Sequence, residues 1–213
     1  MNKVLLGLLM LVSYYSNAQE YKLEEKSVIG IFEANGKTKA EIFSAINKWI
    51  SINYNSSKTV VQLSDAEGGN IIVKGINEAK CKNNSKVLMP NIKSDEYSIM
   101  KFNHIIEINI KDNKYRIIYR ITDYASELVG YENIQKATLN CINFNGIDDN
   151  SIATMNAITE EMFKGSFIGK EKREKFKSLT KPMYEELNAN LISNIKVTME
   201  SIAKSTTVTS DGW

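Results

Sequence analysis

Histidine is almost missing from this sequence: His104 stands alone among 213 residues. Ser-His-Asp or Cys-His catalysis would have to use that one ring, and an imidazole-based zinc site has no second donor of its kind. Proline and cysteine each occur only twice, which excludes both a proline-rich spacer and a disulfide-dense scaffold. A surplus of one charge is missing too. The 27 Lys and Arg against 25 Asp and Glu leave a formal +2, a balance that suggests no polyanionic partner and no nucleic acid. After the N-terminus no stretch is long and apolar enough to span a bilayer. The remainder, 43% hydrophobic and 24% charged, is ordinary globular composition.

The one long apolar run comes first, in MNKVLLGLLMLVSYYSNAQE. Lys3 supplies a positive start, Val4 to Val12 an apolar core of nine residues, and Ser16 and Ala18 the small residues of a cleavage site before Gln19. A membrane span would need about 20 apolar residues, so the pattern predicts a signal peptide, residues 1–18, cleaved after Ala18. No cysteine follows the run, which argues against a lipid anchor. The expected product is exported, periplasmic or extracellular. Its charge falls from +2 to +1 with the loss of Lys3, and its 195 residues suit a single domain. Oxidising compartments permit disulfides, so Cys81 and Cys141 form a candidate pair, with two buried thiols as the alternative.

Ser27 to Glu33 (SVIGIFE) reads as a strand ended by an Asn35-Gly36 turn. Thr38 and Glu41 have capping-box spacing, and Ile42, Ala45, Ile46, Trp49 and Ile50 then recur as one helical stripe. Thr59–Leu63 and Ile71–Ile76 read as a hairpin around Asp65–Asn70. Gly68-Gly69 is a turn rather than a phosphate loop, since no Lys-Ser or Lys-Thr pair and no helix follow. Residues 78–98 read as a polar connection.

In KFNHIIEINIKDNKYRIIYRIT, Asp112-Asn113 fits a tight turn, because both residues tolerate positive φ. That register pairs Ile110 with Tyr115, Ile108 with Ile117, Ile106 with Tyr119 and His104 with Ile121 on one apolar face. Asn109 with Arg116, Glu107 with Ile118 and Ile105 with Arg120 fall on the other, largely polar face. His104 on the apolar side reads as a satisfied core residue. Residues 125–179 form an insertion, with a helix over Ser151–Phe163 capped by Ser151. From Lys164 to Lys181 seven Lys or Arg meet two Glu, a local +5 that reads as a solvated helix face. A last helix follows Thr180 as cap, with Met183, Leu187, Leu191, Ile195, Met199 and Ile202 as its stripe, and 205–213 reads as a flexible tail.

The architecture these elements predict is α+β, in the order β-α-β-β-β-β-α, with an antiparallel sheet and two helices on one face. The stretches GKTKAEIFSAINKWISINYNSSKTVVQLSDAEGGNIIVKG and YSIMKFNHIIEINIKDNKYRIIYRITDY resemble an exported bacterial domain family of unknown function with a TBP-like fold, over about residues 27–125. The resemblance implies that fold, and carries over no catalytic residue or cofactor. The chain has one copy where TATA-binding protein has a duplicated saddle with apolar wedges, so DNA binding is not expected. The adjacent acids Asp148-Asp149 and Glu160-Glu161 point apart, and the loop 143–150 lacks EF-hand spacing, so no catalytic or metal site is assigned. The expected function is that of a non-enzymatic envelope domain of residues 19–204 that binds a protein, a glycan or itself. Its candidate contact surface is the open face at Glu107, Arg116, Ile118 and Arg120. The alternative is a carboxylate-type hydrolase acting on envelope material, which needs two facing carboxylates roughly 5–10 Å apart.

Overall fold

The computed structural model describes residues 20–54, 56–125 and 131–207. The expected signal peptide and residues 208–213 lie outside them. Six strands form one antiparallel sheet in the order β1-β2-β6-β5-β4-β3: β1 Tyr21–Glu24, β2 Ser27–Glu33, β3 Val61–Asp65, β4 Asn70–Lys82, β5 Tyr97–Lys111 and β6 Lys114–Tyr124. The helices are α1 Lys39–Asn53, α2 Ser57–Val60, α3 Ser85–Leu88, α4 Glu132–Asn140, α5 Asp149–Met162, α6 Lys170–Ser178 and α7 Thr180–Thr207.

The expected register of β5 against β6 is present pair by pair, from Ile110–Tyr115 to His104–Ile121. Only Asn113 takes a positive φ, 64°, so one turn residue rather than two enters the left-handed region. The inner sheet face contributes Ile71, Val73, Phe102, Ile106, Ile108, Tyr115, Ile117, Tyr119 and Ile121 to the core. Ile42, Ile46 and Ile50 of α1 and Leu187, Leu191, Ile195, Met199 and Ile202 of α7 close over them. Trp49 Nε1 donates to Ser201 Oγ at 2.9 Å, joining the two helices.

The N-terminal corner is built by three segments together. The Thr38–Glu41 capping box forms as expected. The β5–β6 turn adds to it: Asp112 Oδ1 accepts from the Lys39 backbone N–H at 2.7 Å, and Asn113 Oδ1 from Gly36 N–H at 2.9 Å. A carboxylate there also meets the positive end of the helix dipole.

Several expectations need correction. β1 forms ahead of the first strand expected from the sequence, pairing Leu23 with Val28. Thr59 and Val60 belong to the short α2 turn, so β3 starts at Val61. β4 runs on to Lys82 and β5 begins at Tyr97, because the small residues Ala79 and Cys81 continue the inward alternation within an otherwise charged segment. The insertion is three helices, and α5 is capped by Asp148, whose Oδ1 accepts from Ser151 N–H at 2.9 Å. Thr180 lies inside α7 and donates to Asn156 Oδ1 at 2.7 Å. The supposed tail is helical to Thr207, where buried Thr206 meets the Tyr115 hydroxyl at 3.2 Å.

β3 stops early: its pairing ends at Val61–Val73, which leaves the edge of β4 beyond it bare. α7 covers that edge. Asn194 Nδ2 donates to Glu78 O at 2.8 Å, and Glu186 Oε2 accepts from Lys82 N–H at 3.2 Å, so the side chains of one helix satisfy strand groups open to unwanted pairing. Among the described residues no helix is long and apolar enough to cross a membrane.

Candidate functional site

The sheet face turned away from α1 and α7 carries the four residues expected there. Glu107 and Ile118 are direct cross-strand partners, and Arg116 and Arg120 flank Ile118 on β6. The register extends that row across the sheet as Ile29, Ile118, Glu107, Ile72 and Leu63. The next row is a polar ladder. Arg116 Nε and Nη2 donate to Asn109 Oδ1 at 3.1 and 2.7 Å, and Asn109 Nδ2 donates to Asn70 Oδ1 at 3.0 Å and Glu107 Oε1 at 3.1 Å. Glu107 and Arg116 are thus linked through Asn109. Both arginines are exposed, while Glu107 and Ile118 are half-buried.

A second feature lies on the helix side of the sheet, where β3 ends and Tyr54 follows α1. It is a cleft of about 380 Å³ lined by rings of Trp49, Tyr54, His104 and Tyr119, by the amides Asn53, Asn77 and Asn194, and by Glu78. Gly75 makes room for it. A Cβ there would stand 2.7 Å from His104 Cε1 and 3.0 Å from Tyr54 Cε1, so only glycine leaves the imidazole its place.

His104 stacks on Tyr119 with ring centroids 4.5 Å apart, and its Nε2 lies 3.4 Å from Tyr54 Oη. It is buried as expected, but it is not fully satisfied, since its Nδ1 has no hydrogen-bond partner among the described residues. Burial lowers its pKa to about 4 and keeps the ring neutral at pH 7, with one nitrogen a donor and the other an acceptor. The same burial pushes Tyr54 up to about 12 and Tyr119 higher still. These groups offer hydrogen bonds without charge.

The amides present acceptors. Asn53 Nδ2 donates to Trp49 O at 2.9 Å, Asn77 Nδ2 to Tyr119 Oη at 3.0 Å, and Asn194 Nδ2 to Glu78 O at 2.8 Å. Their carbonyl ends have no protein donor among the described residues. The Glu78 carboxylate is held by Lys101 at 2.9 Å.

The adjacent acids weighed in the sequence have structural partners. Asp148 caps α5, Asp149 pairs with Lys181 at 2.9 Å, and Glu160 pairs with Arg173 at 2.7 Å and Lys177 at 3.1 Å. The basic run is therefore partly a packed, ion-paired helix rather than a wholly solvated face. Among the described residues no group of three or more His, Cys, Asp or Glu could hold a metal ion. Cys81 and Cys141 are buried free thiols, raised by burial to about 11 and about 12, and Tyr184 lies within electrostatic reach of both.

Sequence reasoning missed the cleft, although it placed Trp49, His104 and Tyr119 on core-facing stripes. Its walls come from α1, β4, β5, β6 and α7, with no local spacing to join them.

No curated protein matches this chain. Among solved structures, a TBP-like protein from Parabacteroides distasonis is 14% identical with a TM-score of 0.48, covering 84% of this chain and 91% of its own. A DUF4468 family protein from Bacteroides ovatus is 11% identical with a TM-score of 0.51, covering 89% of this chain and 90% of its own, which at that identity is a likeness of fold. Residues 30–124 match the family described as "Domain of unknown function (DUF4468) with TBP-like fold". Residues 30–124 of this six-stranded α+β chain are thus similar to that family, and the remainder of the chain lies outside the match.

Proposed function

We propose that the chain is an exported, non-enzymatic binding domain of the cell envelope, and that the His104 cleft takes a saccharide. The observation that carries this reading is the pairing of ring walls with the free amide carbonyls of Asn53, Asn77 and Asn194. Sugars present hydroxyl donors around a ring whose C–H faces are apolar, and that is the complement of such a lining. A volume of about 380 Å³ is within the usual span of small-molecule sites. Glu78 is the one acid among the lining residues, and Lys101 already holds its carboxylate, so the cleft offers no facing acid pair for glycoside cleavage.

The test is a calorimetric titration of residues 19–213 with N-acetylglucosamine, its β-1,4 dimer and cellobiose. Binding should weaken roughly two- to tenfold in Tyr54→Ala, since one aromatic contact contributes about 0.5–1.5 kcal/mol. It should persist in Arg116→Glu with Arg120→Glu, on the opposite face. Loss in the double variant with retention in Tyr54→Ala would move the site to the open sheet face. Release of reducing ends would establish the hydrolase alternative instead.

Export belongs to the same proposal. The intact mass from an envelope fraction should start at Gln19, and a chain that retains Lys3 would refute it. Oxidation after export is the step that would join Cys81 to Cys141, which the structure holds as separate thiols.

A further inference from the structure

The three helices of the insertion, with α3 and the start of α7, enclose a second cavity of about 310 Å³, apart from the His104 cleft. Its lining is almost wholly apolar. Met89, Met155, Met162 and Met183 contribute four of the chain's eight methionines, beside Leu88, Ile134, Ile158, Phe163 and Phe176. Concentrating half of that residue type in one cavity matters, because the flexible, polarizable thioether side chain repacks around guests of different shape. Phe163 and Phe176 meet edge-on at 5.8 Å and hold α5 against α6. Met89 and Met162, 51% and 58% exposed, mark the mouth.

The rim of this cavity is cationic. Lys172 Nζ donates to Leu88 O at 3.3 Å, which brings an ammonium onto a residue of the lining. Arg173 and Lys177, on the turns of α6 beside Phe176, share the carboxylate of Glu160, and Lys177 also meets Glu174 at 2.8 Å, which leaves Lys170, Lys172 and Lys175 as the further cations of α6. Arg173 also keeps a buried Nε with no partner. Of the charge of +5 over 164–181, a net +3 falls on α6, the helix that closes the cavity.

We propose that this cavity binds the hydrocarbon tail of a free medium-chain fatty acid, with the carboxylate held at the mouth by Lys172 and its cationic neighbours on α6. Size sets the chain length. At roughly 30 Å³ for each water-sized group, a cavity of about 310 Å³ holds about ten heavy atoms. Charge sets the head group. An apolar lining alone would take any alkane, but the basic rim selects an anion over a neutral or cationic head of equal length.

Decanoate is the probe, titrated calorimetrically into residues 19–213, with 1-decanol and decyltrimethylammonium as matched tails. Decanoate should bind at least tenfold more tightly than either, and added salt should narrow the gap, because charges at a solvent-exposed rim are screened. Met183→Trp, which fills the cavity, should abolish binding. Lys172→Glu changes an exposed residue and should leave thermal stability intact while weakening decanoate several-fold and decanol little. Equal affinity for the three heads would overturn the choice of ligand, and absence of decanoate binding by folded wild type would overturn the site. Saccharide binding in the other cleft should survive both substitutions, so the two readings fail separately.

Discussion

Acidifying the folded protein from neutral pH should cost about 3 kcal/mol through His104 alone. Burial lowers its pKa from 6.5 to about 4 in the folded chain, and each unit of difference between folded and unfolded states corresponds to about 1.4 kcal/mol. The unfolded chain takes up the proton first as pH falls, because its histidine keeps the ordinary value. Between pH 6.5 and about 4 the unfolded state therefore binds more protons, and stability declines with falling pH across that window. Above it the contribution is fully present. The ring is 4% exposed, so little solvent screening reduces the effect. Since His104 is the only histidine, the comparison is direct: urea midpoints of wild type and His104→Gln at several pH values should converge on acidification. Midpoints that fall in parallel would show that carboxylates, not this ring, set the acid limit.

The β5–β6 register was legible because alternation and turn chemistry agreed: isoleucines at 106, 108 and 110 face inward for one register only, and Asp112-Asn113 closes it. α7 was legible for a similar reason, with a buried residue recurring every three or four positions from Leu187 to Ile202. β1 was not, since YKLE carries one weak alternation and depends on β2 for every ladder bond. The extension of β4 was hidden by inward residues as small as Ala79 and Cys81, which scarcely register as hydrophobic against four lysines and glutamates. The insertion was opaque because α6 reads as a run of charge with Phe176 as its main apolar anchor, and two of its five cations turn out to be paired. On the open face, all four expected residues lie where the register placed them, although Arg116 reaches Glu107 only through Asn109. The His104 cleft could not be read at all. Trp49, Asn77, His104 and Asn194 are remote in sequence, and each looks like a residue of its own element until β4, α1 and α7 converge.

Gly69→Ala should destabilise the fold by about 3 kcal/mol, and the reason returns to the hairpin between β3 and β4. Asp65 Oδ1 accepts from Gly68 N–H at 2.9 Å and tightens the turn, so that Gly69 follows at φ +70°. Its carbonyl then accepts from the N–H of Ile110 at 2.7 Å, which fastens the turn to the end of β5. Lys39 reaches in from α1 to the carbonyl of Glu67, so the helix start, this turn and the β5–β6 turn meet at one corner. A Cβ on residue 69 would lie 2.5 Å from the Ile110 carbonyl oxygen. Backbone cannot rotate away as a side chain would, and the hydrogen bond beside it holds the two segments together. The left-handed conformation costs a non-glycine residue about 1 kcal/mol, and forcing atoms into a packed site adds roughly 1–3 kcal/mol. Gly36 separates these two effects. It has φ +78°, but a Cβ there would meet nothing within 4 Å, so Gly36→Ala should cost only the conformational part. In thermal melts the Gly69 variant should lie roughly 4–8 °C below the Gly36 variant, at about 2–4 °C for each kcal/mol in a domain of this size. Equal melting temperatures would mean that the corner yields, and that the close approach to Ile110 does not hold the three segments in place.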